Sequence, residues 1–183
     1  ASIYKRGVRY ANFPTTLLSQ VDAGVGGKTG VNLDSYKNMI GVTKFPIYTR
    51  ILPEVLATLP ARELRSGAAE MLKTFIIDNK GGNYEKAVKV LSEPKVDFAA
   101  LAPLIEAAAA VKRKIVEQDP YEENLRRCLN LGHTYAHAIE WYQHTHGTAD
   151  PMTHGEAVAV GMVQAALLSE RLGLCTTGLS EQI

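Results

Sequence analysis

A chain of 183 residues, 46% hydrophobic and 21% charged, has the composition of an ordinary globular protein and enough length for one sizeable domain or two small ones. Its net charge of +1 argues against a nucleic-acid scaffold or a polybasic membrane binder, which rely on long-range attraction, and no apolar run approaches the ~20 residues of a membrane span. Cys128 and Cys175 are too few for a disulfide framework and lack CxxC spacing, so a reducing cytoplasm is the expected compartment.

The chain opens on Ala1-Ser2-Ile3-Tyr4, which reads as the middle of an element and carries no signal-peptide pattern. Short β-type runs follow at Val8 to Phe13, Val25 to Asn32 and Ile47 to Leu52, broken by Gly, Pro and Asn. Near residue 60 the pattern becomes helical. Apolar residues recur at three and four over 61–79, 83–92, 97–118, 124–145 and 154–173. Within 97–118 the stripe Phe98, Leu101, Leu104, Ile105, Ala108 and Ile115 is the buried face, with Lys112 on its edge. Thr153 and Glu156 form a T-x-x-E capping box, which makes His154 the first residue of the last helix, at a positive dipole end suited to an anion. The closing Leu179 to Ile183 looks like the first turn of an unfinished helix, so the chain is expected to be a fragment.

On a helix over 124–145, Arg126, Asn130, His133 and His137 fall within roughly 60° of one another. This polar stripe lies beside an apolar side of Leu125, Cys128, Leu129, Tyr135 and Ile139. Cys128, about 200° from Arg126 at 100° per residue, reads as core, and Trp141 reads as packing. Two imidazoles four apart can share a metal or a substrate, although Thr134 stands where an HExxH motif needs its general base. His154 supports a metal reading, and Glu70, within Ala69-Glu70-Met71-Leu72-Lys73, could supply an oxygen ligand. The alternatives are ordinary core or surface histidines, and a simple i,i+3 ion pair of Glu70 with Lys73 on a solvated face. Asp22 to Gly30 is glycine-rich with Lys28, yet Walker A needs a glycine where Asp22 stands and no long helix follows. A glycine-rich turn is the better reading of that segment alone. Arg6, Lys37, Lys112, Lys114, Arg126 and Arg127 each read singly as surface charges.

Taken in order, a longer set of motifs resembles the 3-dehydroquinate synthase family of sugar-phosphate cyclases. They are Arg6-Gly7-Val8, Pro14 to Leu18, Gln20-Val21-Asp22, Val25 to Thr29, Lys37 to Gly41, Thr58-Leu59-Pro60, Arg62-Glu63 and Glu70 to Lys73, then Asn130 to His133 with His137, and His154 to Val158. The resemblance covers nearly the whole chain. It implies an α/β N-terminal nucleotide-binding portion over residues 1–62, followed by a mostly α-helical metal-binding domain over 63–183, incomplete at its C-terminus.

By resemblance the metal ligands are Glu70, His133 and His154, holding zinc or cobalt, and His137 faces the substrate. Lys73, Lys112, Arg126, Asn130 and His137 resemble a substrate clamp. Asp22, Lys28, Lys37 and Asn38 resemble cleft residues that touch substrate or the nicotinamide ribose of NAD. Thr15, Thr16, Thr58 and Leu59 resemble nucleotide contacts, and Arg6 resembles an arginine that reaches phosphate across a homodimer interface. The implied reaction converts 3-deoxy-D-arabino-heptulosonate 7-phosphate to 3-dehydroquinate and phosphate, with NAD taking a hydride and later returning it. It is the second step of the shikimate pathway, in the cytoplasm, with a small-molecule sugar phosphate as substrate and neither nucleic acid nor membrane as partner.

The chain also departs from that pattern. The glycine-rich turn expected before Ala1 and the lysine-bearing segment expected after Ile183 are not in this sequence. Ala23-Gly24 replaces two serines, and Asp119-Pro120-Tyr121-Glu122 differs from the family's DExE run. Two rival readings stay open: a sister cyclase forming inosose-, valiolone- or amino-type rings, and a non-catalytic zinc-binding helical module.

Overall fold

The computed structural model describes residues 1–34 and 36–183, without the side chains of Tyr36 and Lys37. Residues 1–60 are mostly irregular, and the five α-helices of the described residues follow: α1 (Ala61–Ile77), α2 (Asn83–Leu91), α3 (Phe98–Gln118), α4 (His133–His146) and α5 (His154–Arg171). The change of pattern near residue 60 is thus a change of architecture, with a mixed N-terminal portion leading into a helical domain. Among the described residues no helix is long and apolar enough to cross a membrane.

The N-terminal portion differs in detail from its apolar runs. Its strands are β1 (Lys28–Leu33) and β2 (Tyr36–Thr43), an antiparallel hairpin in register Lys28 to Thr43 and Gly30 to Gly41. Gly26 and Gly27, at φ +111° and +68°, turn the chain into β1 through a conformation that a β-carbon disfavours. The runs at 8–13 and 47–52 form no strands among the described residues; they join through an isolated parallel bridge between Asn12 and Thr49 and a further backbone hydrogen bond from Ile47 to the Tyr10 carbonyl.

The main core packs α1, α2 and α3 against the short helical turns at Ser19–Ala23 and Pro53–Thr58, burying Leu17, Val21, Leu56, Met71, Phe75, Leu101 and Ile105. A smaller cluster of Ala136, Ala157, Val158 and Met162 joins α4 to α5. Asp97 caps α3 by accepting from the N–H groups of Ala99 and Ala100 at 2.9 and 3.3 Å.

The continuous helix expected over 124–145 is broken. Leu125–Asn130 is a 3-10 turn, Leu131 is extended, and Gly132 is left-handed at φ +79° before α4 begins at His133. A β-carbon on Gly132 would lie 2.8 Å from the backbone of Val158 and Met162, so close approach to α5 requires a glycine here. Arg126 and Asn130 therefore share no helix with the histidines. The packing expected of Leu125 and Trp141 also fails, since they are 47% and 57% exposed, and Cys128 is only partly buried.

Candidate active site

Three helices bring one carboxylate and two imidazoles together. Glu70 lies in the middle of α1 and is fully buried, while His133 and His154 are the first residues of α4 and α5. The capping box forms as the T-x-x-E spacing predicts, with Thr153 Oγ1 accepting from the Glu156 N–H and Glu156 accepting from the Thr153 N–H at 2.7 Å. Two glycine contacts set the helix separations. A β-carbon on Gly155 would fall 2.0 Å from the carbonyl oxygen of Ser66 on α1, and one on Gly161 would fall 2.1 Å from that of Gly132.

Nε2 of His133 and Nε2 of His154 lie 3.6 and 3.5 Å from the same oxygen, Oε1 of Glu70. Those spacings are long for hydrogen bonds. They match the edge of a tetrahedron of donors at ~2.1 Å from a central ion, which is about 3.4 Å. Neither Glu70 oxygen accepts a hydrogen bond of good geometry among the described residues, although Lys73 Nζ makes an ion contact 2.5 Å from Oε2. The donor set therefore fits a divalent metal bound through Oε1 and two imidazoles. Both rings are oriented for it, since Nδ1 of His133 lies 3.2 Å from the Leu131 carbonyl and Nδ1 of His154 lies 3.1 Å from Glu140 Oε1.

The charges agree with that geometry. Burial pushes the Glu70 carboxyl up, but the His154 imidazole and the Lys73 ammonium prevail and hold it below its ordinary value. Burial, aided by the Lys73 charge, pushes the His133 imidazole down toward its neutral, ligating form. The hydrogen bond to Glu140, and then the facing Glu70 carboxylate, raise His154 to about 9, so a metal must displace a proton there.

Beside this group opens a cleft of about 280 Å³ lined by Asp22, Lys28, Asn38, Lys73, Lys112, Glu122, Arg126, Leu129, Asn130, His133, His137 and His154. Lys112 Nζ donates to the Asp22 carboxylate at 2.5 Å and to the Asp22 carbonyl at 2.8 Å. Burial raises the Asp22 carboxyl, yet the Lys112 charge and then Lys73 hold it ionised. Burial lowers Lys112 and Lys28, and in Lys28 the nearby Arg126 and Lys112 charges add to the effect. Glu122 gathers the cleft mouth by pairing with Lys28 and accepting from Asn130 Nδ2 at 2.5 Å. The buried Arg126 guanidinium donates to the Pro120 and Gly26 carbonyls at 2.7 and 2.9 Å, which ties the glycine turn to the loop after α3. The cleft thus carries four cationic side chains, Lys28, Lys73, Lys112 and Arg126, beside the carboxylates of Asp22 and Glu122.

Sequence comparison decides the lineage. Residues 1–66 match the family model of the 3-dehydroquinate synthase N-terminal region, and residues 67–183 match that of its C-terminal region. The chain belongs to the 3-dehydroquinate synthase family. It is 46% identical over its whole length to a 3-dehydroquinate synthase of Legionella pneumophila and 43% identical over 96% of its length to one of Dictyoglomus thermophilum. It spans about half of those relatives, 48% in each case. Among solved structures, 2-epi-5-epi-valiolone synthase from Streptomyces hygroscopicus, with NAD+ and Zn2+ bound, superposes with a TM-score of 0.78 at 33% identity, covering 97% of this chain and 49% of that one. A 2-deoxy-scyllo-inosose synthase complexed with carbaglucose-6-phosphate, NAD+ and Co2+ superposes with a TM-score of 0.84 at 28% identity, covering 100% of this chain and 48% of that one.

Arg6, Thr15, Thr16, Thr58 and Leu59, also marked by the family resemblance, are not among the residues lining the cleft. Arg6 is exposed near the N-terminus at φ +64°. Thr15 and Thr58 are exposed, Thr16 exchanges hydrogen bonds with Ser19, and Leu59 packs on the main core. Lys37 belongs to β2, and its side chain lies outside the described residues. His137 lines the cleft, its ring edge-on to His133 at 5.5 Å, and the converging group of ligand atoms is Glu70, His133 and His154. Sequence reading overlooked Glu122 and Glu140. Glu140 is seven residues after His133, on the same face of α4, which is a signal available from spacing. Glu122 had no comparable signal, because only the loop fold brings it to Lys28.

Proposed function

We propose that this chain forms the metal- and substrate-binding half of a 3-dehydroquinate synthase. That enzyme converts 3-deoxy-D-arabino-heptulosonate 7-phosphate to 3-dehydroquinate and phosphate, using catalytic NAD and a divalent metal. The observation that carries the reading is the convergence of Glu70, His133 and His154 beside a cleft rich in cations. These three side chains would hold zinc or cobalt, which as a Lewis acid makes a coordinated hydroxyl more acidic.

The chain's own residues bind and orient. Lys73, fully buried against Glu70, keeps Oε2 engaged and leaves Oε1 for the ion, and its charge also faces the cleft. Lys28, Lys112 and Arg126 neutralise substrate phosphate and carboxylate. Asn130 and His137 hydrogen-bond hydroxyls, and the ionised Asp22 accepts from one. Fixing a flexible open-chain sugar phosphate in this way lowers a cyclisation barrier by up to about 7–11 kcal/mol, through orientation alone. We assign residues 1–62 to the nucleotide-binding portion, with Thr15, Thr16, Lys37, Asn38, Thr58 and Leu59 contacting NAD, and Arg6 to a homodimer interface where it reaches substrate phosphate.

A sister cyclase is the second reading, favoured by the valiolone and inosose synthases among the structural neighbours at 33% and 28% identity. The 3-dehydroquinate synthases named above, at 46% and 43%, outweigh it. Elemental analysis of the wild type and of His133→Ala tests the metal half of the proposal. One zinc or cobalt per chain, lost in the variant, is expected, and a metal-free wild type would overturn it. Calorimetric titration of the metal-loaded chain with the heptulosonate phosphate and with glucose 6-phosphate tests the substrate half. Preference for glucose 6-phosphate would favour the sister cyclase.

A further inference from the structure

His133 and His154 orient their Nε2 atoms toward one point by different means. Nδ1 of His133 meets a backbone carbonyl, that of Leu131, which the turn before α4 fixes in place. Nδ1 of His154 meets a side chain instead, Glu140 Oε1 at 3.1 Å, reaching across from the second turn of α4 to the first residue of α5. Glu140 is only 13% exposed, so it competes little with water for this contact. The same two helices are held together about two turns away by the Gly132–Gly161 approach, so the carboxylate is delivered by a packed helix.

We infer that Glu140 is a positioning residue of the metal site. It accepts the Nδ1 proton of His154, which fixes the tautomer whose Nε2 lone pair points at Oε1 of Glu70. An imidazole in the other tautomer, or rotated about its bond to the chain, presents a proton or a carbon to the ion and cannot ligate. A carboxylate behind a ligating imidazole also makes the ring a better donor, and losing such a partner typically weakens metal binding 10–100-fold. Glu140 belongs neither to the converging ligand group nor to the cleft lining among the described residues, and its effect passes through His154. The inference rests on the metal reading above.

The test measures zinc dissociation constants of the 183-residue chain by competition with a chromophoric chelator, in the wild type, Glu140→Leu and Glu140→Gln. Glutamine keeps a carbonyl oxygen that can accept from Nδ1, whereas leucine keeps only bulk. Zinc binding weakened 10–100-fold in Glu140→Leu, with a substantial part recovered in Glu140→Gln, is the expected result. Wild-type affinity in Glu140→Leu overturns the inference and leaves the metal reading intact. Equal weakening in both variants overturns it too, because charge rather than hydrogen-bond orientation would then be the cause. Should Glu140→Leu fail to fold, the Co2+ visible spectrum of Glu140→Ala, which also removes the acceptor, decides: a tetrahedral spectrum reached only at raised cobalt concentration supports the inference, and a spectrum and affinity identical to the wild type refute it. A wild-type chain that takes up no zinc at any concentration refutes both this inference and the reading beneath it.

Discussion

Gly155 donates its backbone N–H to Ser66 Oγ at 3.0 Å, and a β-carbon at Gly155 would fall 2.0 Å from the Ser66 carbonyl oxygen. Ser66 is one turn before Glu70 on α1, and Gly155 follows His154 on α5. This crossing therefore sets the distance between a carboxylate and an imidazole that lie 3.5 Å apart. Gly155→Ala forces the helices apart, because the obstacle is backbone and cannot rotate away. We expect a loss of about 1–3 kcal/mol, read from the urea midpoint, typical of overpacking at a tight contact. Zinc stoichiometry should fall with it, and an unchanged midpoint would show that the helices part without cost.

The second prediction concerns Lys112 and Asp22, whose 2.5 Å pair joins α3 to the turn at Ser19–Ala23. Lys112→Met strands an ionised carboxylate. Breaking a fully buried pair costs about 3–5 kcal/mol, but the Asp22 side chain retains 23% exposure, so solvent softens the loss to about 1–3 kcal/mol. The double variant Asp22→Asn/Lys112→Met should recover most of it, since no unpaired charge remains. Chemical denaturation of the cycle checks this, and additive losses would show that the two residues act independently.

How far these relationships were legible depends on their range. The capping box of Thr153 and Glu156, and with it the placement of His154 at a helix start, is a local hydrogen-bond pattern that spacing encodes. The polar stripe from Arg126 to His137 has the spacing of one helix yet is split at Gly132, and nothing local reveals that Gly132 must approach Val158 and Met162. The apolar runs at 8–13 and 47–52 carry β-type composition, yet strands need partners along their length, and these share one isolated bridge, Asn12 with Thr49, and one further backbone hydrogen bond. The meeting of Glu70 with His133 and His154 spans three helices, and no periodicity within one helix can express it. Glu122 belongs to the same class, being brought to Lys28 and Asn130 by a loop.

The third prediction is a pH dependence. Arg62 on α1 donates to Glu156 at 3.1 Å, to Asp150 at 2.7 Å and to the Pro151 carbonyl at 2.7 Å, binding the loop before His154. Its hydrogen bond, then the Thr153 N–H, lowers Glu156 to about 2. A carboxyl depressed on folding stabilises the folded state above its unfolded value, ~4.3, and that contribution is lost as pH falls toward about 2. Urea midpoints should therefore drop between pH 5 and pH 2 in the wild type, and drop less in Arg62→Ala. Identical slopes would remove Glu156 as the titrating group.

The fourth prediction rests on Asp119, which lies at the end of α3 and organises the loop after it. Its carboxylate accepts from the backbone N–H groups of Glu123 at 3.0 Å, Asn124 at 2.8 Å and Arg126 at 3.0 Å. Burial raises this carboxyl, but the N–H groups of Arg126, Asn124 and Glu123 prevail and keep it ionised. Asp119→Ala leaves these donors without their acceptor and should cost about 1–3 kcal/mol in a urea titration. Its effect on the cleft should exceed that of a simple stability loss, because the same loop presents Glu122 to Lys28 and aims Arg126 at the Gly26 carbonyl. Asp119→Asn retains one oxygen, but its amide NH2 meets backbone donors, so it should recover only part of the stability. Phosphate binding, followed by calorimetry at a temperature where each variant is folded, should weaken in the order wild type, Asp119→Asn, Asp119→Ala. A destabilised Asp119→Ala that binds phosphate like the wild type would separate the loop's structural role from the cleft.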